Sequence, residues 1–160
     1  MKFLLVMVSI FLDVIFNNVF ITSINNISYF YPMFTITSVV YLSNFYTNPN
    51  RKNYYVLVLL IAIIYDCIVI GNLLISISLF LSIAVLNIKL KNYLTNNLIN
   101  NILRLILSII CYDLLFNLLF VIVGYKVFDI SKIIYKITHS LIVNIIYLVV
   151  MFLVLKPKKT

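Results

Sequence analysis

The chain has no glutamate, and its only acids are four aspartates: Asp13, Asp66, Asp113 and Asp129. It has one histidine, His139, two cysteines, Cys67 and Cys111, and two glycines, Gly71 and Gly124. One histidine without glutamate leaves no plausible metal cluster, so no metal or other cofactor is expected. Two glycines leave no phosphate-binding loop, no dinucleotide fingerprint and no G-x-x-x-G helix pair. The cysteines lie in apolar stretches without metal spacing and read as small buried apolar residues. Charge is scarce as well: 10% of the 160 residues are charged and 64% are hydrophobic, with a mean hydropathy of +1.17. Ordinary globular chains are about 25% charged and about 45–50% apolar. A soluble fold of this length cannot hide so much apolar surface.

What is present therefore belongs in a bilayer. A membrane helix uses about 20 residues, and six such runs are legible: 3–21, 29–46, 54–70, 73–90, 102–123 and 133–155. The expected architecture is an all-α integral membrane protein, one domain over 1–160, with only tails and short loops outside. Lys2 followed by a ten-residue run that is apolar but for Ser9 has the look of a signal peptide. However, no small-residue cleavage site follows and Asp13 ends the apolar core, so a retained helix is expected. Pro32 falls in the first turn of the second run, where a missing N–H does little harm. The stretch 54–90 is too long for one span and divides at Gly71-Asn72, its only turn signal.

The bases test that division. Net charge is +8, which in a soluble protein would point to nucleic acid; here the bases cluster between apolar runs, and no nucleic-acid partner is expected. With six spans, Lys2, Arg51, Lys52, Lys89, Lys91, Lys156, Lys158 and Lys159 share one face. Lys126 and Lys132, with Lys136 beside them, mark the other around Asp129. Eight against three makes both termini cytoplasmic. The sequon Asn26-Ile27-Ser28 on the outer face lies too near the membrane to be a convincing acceptor.

Three acids fall inside spans. An ionised Asp at the bilayer centre costs about 2.5–3.5 kcal/mol, and each Leu, Ile, Phe or Val returns about 0.3–0.6. The first span has fourteen of those residues and still inserts with Asp13 present. Asp13 and Asn17 share a helical face, as do Asp113 and Asn117, in an echoed D-x-x-F-N pattern that chance explains as well as duplication. Asp66 lies near the outer end of the third span. Arg104 opens the fifth on the cytoplasmic side, about two and a half turns from Asp113. Such groups face other helices or a wet cavity. They serve either an ion path or aspartyl active site, or interhelical hydrogen bonding. Ser76, Ser78, Ser82 and Asn144 read as helix-contact residues, and His139 as interfacial. Nothing local supports a Ser-His-Asp set. A lipoprotein-signal-peptidase type of enzyme would need four spans and Gly-containing motifs around its Asp pair, so no enzyme is expected.

Ile63-Ile64-Tyr65-Asp66 followed by Gly71 and an apolar helix resembles the G-L-x-x-D…G-x-x-G segment of the rod shape-determining MreD family. Pro32 opening the second span, the basic loop with Arg51 and Lys52, the polar loop before the fifth span, Asn144 in the last span and Lys156-Pro157 at its end agree with that family. Ala62 stands where the family often has Gly, and Leu74 and Ser76 replace its later Gly and Asn. The resemblance implies a six-helix fold similar to the substrate-binding subunits of energy-coupling-factor transporters. It also implies a non-enzymatic scaffold in the bacterial inner membrane. Its partner would be an MreC-like single-span protein, with MreB-like cytoskeleton and cell-wall synthases reached indirectly, in lateral peptidoglycan synthesis. Asp66 and Gly71 would shape the turn between the third and fourth spans. The alternative is a transporter substrate-binding subunit itself. It requires an outward-open cavity lined by polar side chains from several helices, and small-residue docking faces. With only Ala62 and Ala84 as alanines, the second requirement is poorly met.

Overall fold

A computed structural model describes residues 2–20, 31–46, 51–70, 75–124 and 128–155. Among them the only regular structure is helical, without strands. α1 (Lys2–Ile15) continues into a π-helical turn, Phe16–Phe20, and α2 (Phe34–Leu42) into a 3-10 turn, Ser43–Phe45. α3 (Arg51–Tyr65) runs into a second π-helical turn, Asp66–Ile70. α4 (Ile75–Tyr93), α5 (Leu98–Ile122) and α6 (Ile130–Val154) follow. These last three are long and apolar enough to cross a membrane. Gly71-Asn72, the sequon, Lys126 and Lys156 onward lie outside the described residues.

The second apolar run departs from its expected form. Its helix begins at Phe34 rather than 29, and Pro32 precedes the N-cap, Met33, instead of sitting in the first turn. With its 3-10 turn it covers twelve residues, about 18 Å of rise, against the ~30 Å of a bilayer core. Length alone therefore does not make it a span. Every residue from Phe34 to Asn44 is buried. α1, α4, α5 and α6 all pack on α2, and the Tyr54 hydroxyl of α3 donates to Val39 O at 3.0 Å. α2 is thus the axis of the bundle, apolar enough to be buried on all sides. Val39 and Val40 meet Ile61, Ile83, Leu105 and Leu148 in one continuous core.

Around that axis α3 packs on α4, α4 on α5 and α5 on α6. Edge-to-face rings stitch the series: Tyr65 on Phe80 at 5.2 Å, then Phe80 on Tyr112 at 6.2 Å. α5 ends where Gly124 takes φ +81°, the left-handed conformation that closes a helix. Leu4, Phe11, Val56, Ile68, Leu118 and Ile142 point outward from the bundle.

Two further expectations change. Cys67 is exposed and Cys111 only half-buried, because so apolar a chain has more hydrophobic side chains than interior positions. Ser78 and Ser82 are exposed too, their hydroxyls turned back on Ile75 O (2.9 Å) and Ser78 O (2.7 Å). That bond within their own helix removes any need for a partner on another.

Candidate functional site

The polar groups inside the bundle gather at both ends of α2 and at two places beyond it. A helix start leaves up to four N–H groups without intrahelical partners, and Met33 makes no side-chain cap of its own. Two other helices supply the acceptors. From α1, Asp13 accepts the Phe34 N–H on Oδ1 (2.8 Å) and the Thr35 N–H on Oδ2 (2.9 Å), with the Thr35 hydroxyl at 2.6 Å. From α6, Asn144 Oδ1 accepts the Met33 N–H and the Thr37 hydroxyl, each at 3.0 Å. Asn144 is itself held by its amide nitrogen, which donates to Ser140 O and Oγ at 2.8 Å. Phe34 sits between Phe16 and Tyr147, ring centres 5.4 and 4.7 Å away. A carboxylate at a helix N-terminus also meets the positive end of the helix dipole.

The other end of α2 is held by cations. Lys91 of α4 donates to the carbonyls of Ser43 (2.9 Å) and Tyr46 (3.0 Å). Arg104 of α5, fully buried, donates to Ser43 Oγ at 3.1 Å and to the side-chain oxygens of Asn44 and Asn101. Asn44 closes the group by donating to Asn101 Oδ1 at 2.9 Å. Acid at the start and bases at the finish match the dipole from both sides. Arg51 at the start of α3 donates to Asn92 Oδ1 near the end of α4 at 3.0 Å, so Arg51 and Lys91 lie at the same end of the bundle.

Asp66 repeats the capping role on a smaller scale. Its two carboxylate oxygens accept the Ser76 N–H at 3.1 and 3.2 Å, in the first turn of α4. Gly71, expected to shape the turn between the two helices with Asp66, lies outside the described residues.

Asp113 differs. Its Oδ1 binds Lys136 Nζ of α6 at 2.7 Å, and its Oδ2 is buried with no hydrogen-bond partner. Asn117, one turn on, donates its amide to Asp113 O at 2.7 Å. Arg104 and Asp113 therefore share a helix but serve opposite ends of the bundle. Beside this pair lies an open cavity of about 1160 Å³, walled by Phe116 and Asn117 of α5, the first two turns of α6, and Tyr31. Lys136 lies 5.4 Å from the Phe116 ring centre. Asp129 at the rim caps α6 through the Lys132 N–H (3.2 Å). That hydrogen bond, foremost, holds its carboxyl below the ordinary 3.8.

Of the residues singled out from the sequence, Asp13 and Asn144 come together on α2, while Asn117 lines the cavity and Asp113 reaches it only through its ion pair with Lys136. Asn17 is half-buried in the π-helical turn. His139 lies half-buried on α6, stacked on Tyr135 with ring centres 3.9 Å apart. Sequence reasoning missed Asn44, Asn87, Lys91, Asn101 and the Thr35-Thr37 pair. Asn87 ties α4 to α5 through Ser108 at 2.8 Å. The available signal was the density of small polar residues in 35–44, unusual for a lipid-facing run. No family model, no curated protein and no solved structure matches this chain.

Proposed function

We propose that the chain is a six-pass protein of the bacterial inner membrane, of the MreD kind. It would hold an MreC-like single-span partner and help organise lateral peptidoglycan synthesis. The observation that carries this reading is the bracketed α2. The intramembrane polar groups of Asp13, Asn144, Asp66 and Arg104 are consumed in fixing helix ends, which is what a rigid scaffold asks of them. Outside that axis the helices present apolar side chains such as Leu107, Leu114 and Leu118 to their surroundings, suited to lipid and to a partner helix. α1 and α3 with their π-helical turns cover nineteen and twenty residues, each about 30 Å of rise, enough for two further passes. Both termini are cytoplasmic on the charge balance.

Gentle detergent extraction of the tagged protein, followed by mass spectrometry of co-purifying chains, tests this. An MreC-like protein together with cytoskeletal or wall-synthesis factors supports it. A transporter ATPase pair with its coupling subunit overturns it. One observation favours that second reading, a substrate-binding subunit: the open cavity between α5 and α6.

A further inference from the structure

The end of the bundle that holds Arg104 is short of counter-charge. Arg51 and Arg104 both repel Lys91 there, and the hydrogen bonds of Lys91 and Arg104 all go to neutral oxygens. The four acids of the chain are committed elsewhere. Asp13 is at the start of α2, Asp113 is paired with Lys136, and Asp129 caps α6. Asp66 stands fifteen residues along α3 from Arg51, about 22 Å of rise away. Cations withdrawn from water are normally paired, so this end calls for an anion from outside the chain. Arg104 is fully buried and Lys91 turns its three donors onto α2. Both therefore act through their field alone.

The groups that can touch an anion are on the surface. Lys52 of α3 and Lys89 of α4 are exposed, with no partner among the described residues. Arg51 has five donors and gives one to Asn92. That bond sets the start of α3 against the end of α4, and Asn92 is about one turn from Lys89. Each lysine also heads an apolar stripe. On α3, Val56 and Leu60 follow Lys52 at one-turn intervals, both exposed. On α4, exposed Val85 lies one turn deeper than Lys89, and exposed Tyr93 one turn beyond it. Tyrosine favours the headgroup level of a membrane. Bases at the rim with apolar side chains beneath them match an anionic lipid. A soluble acidic peptide has no use for the stripes.

We propose that the adjoining ends of α3 and α4 bind an anionic phospholipid. Arg51, Lys52 and Lys89 donate to its phosphate, and its acyl chains lie along Val56, Leu60 and Val85. The inference rests on α3 and α4 lying in the bilayer and on neither functional reading.

The test titrates delipidated, detergent-solubilised full-length protein with short-chain phosphatidylglycerol and phosphatidylcholine, reading affinity from thermal shift. Inorganic phosphate and polyglutamate are titrated in parallel. A base near an anionic lipid surface is worth about fivefold in affinity. Three bases therefore predict a preference for phosphatidylglycerol on the order of 100-fold. K52Q and K89Q, both at exposed positions, should each lower that ratio about fivefold. K132Q, exposed at the start of α6, should leave it unchanged. Raising salt from about 0.1 to about 1 M should remove most of the preference, since screening then acts within about 3 Å. Equal affinity for the two lipids, or a ratio that neither K52Q nor K89Q moves, overturns the proposal. So does inorganic phosphate or polyglutamate binding as tightly as phosphatidylglycerol, the latter in favour of an acidic protein partner.

Discussion

Asp13 and Asp113 begin the same short pattern, Asp13-Val-Ile-Phe-Asn17 and Asp113-Leu-Leu-Phe-Asn117, and both side chains are fully buried. Their circumstances are nonetheless opposite. Asp13 faces the open start of a helix and has both oxygens occupied by three donors. Asp113 faces one lysine and keeps an oxygen bare. The identical local pattern gave no hint of this, because the donors come from elsewhere in the chain: 21 and 22 residues away for Asp13, 23 for Asp113. A buried acid is defined by what it faces.

The largest effect expected from this contrast is at Asp13. D13A orphans the Phe34 and Thr35 donors inside the bundle and should cost about 4 kcal/mol, summing about 1–3 per orphaned group. D113N, which removes no backbone partner, should cost under about 1 kcal/mol. Thermal unfolding in mixed micelles compares the two, and equal losses would erase the distinction. Next comes K136M, which strands the buried Asp113 and should cost about 3 kcal/mol, whereas the double variant K136M/D113L should recover most of that. A double-mutant cycle with no coupling would show that the pair contributes nothing. R104M, at the opposite end of α2, leaves Asn44 and Asn101 without their cation and should cost about 2 kcal/mol. R104K should fall short of wild type, since a lysine cannot reproduce the planar fork. D66A removes a single cap at α4 and should cost about 1 kcal/mol.

The smallest effect is at Asp129. Its carboxyl is held below 3.8 in the folded chain, mainly by the Lys132 N–H. A depressed pKa stabilises the fold above the unfolded value, and that contribution is lost as pH falls through the folded one. Acid titration from pH 5 to about 2 should therefore loosen the start of α6 slightly in the parent chain. The same titration should not do so in D129N, as followed by hydrogen exchange at Ile133.

Much of the architecture was legible in the sequence. α4, α5 and α6 begin within four residues of the runs marked by hydropathy alone, because a continuous apolar stretch has few alternatives to a long helix. α2 was not legible as it stands. Hydropathy counts Thr35, Thr37 and Ser38 as minor interruptions, whereas their hydroxyls and N–H groups decide that this helix is interior and short. The candidate residues Asp13 and Asn144 were visible as polar anomalies, but their meeting on α2 depends on a tertiary arrangement no local window contains. Arg104 and Asp113 stood close enough in sequence to suggest kinship. Only the placement of Ser43 and Lys136 separates them.

The Met33–Asn144 bond joins positions 111 residues apart, and that gives the molecule a timetable. At about 5–20 residues per second, the ribosome needs about 5–20 s after making Met33 to deliver the amide that receives its N–H. During that interval the polar start of α2 has Asp13 alone to hold it. A nascent chain halted before Asn144 should therefore leave this segment open to proteolysis or to chaperone capture, and release should close it. The last helix acts as the clasp on a structure begun by the first.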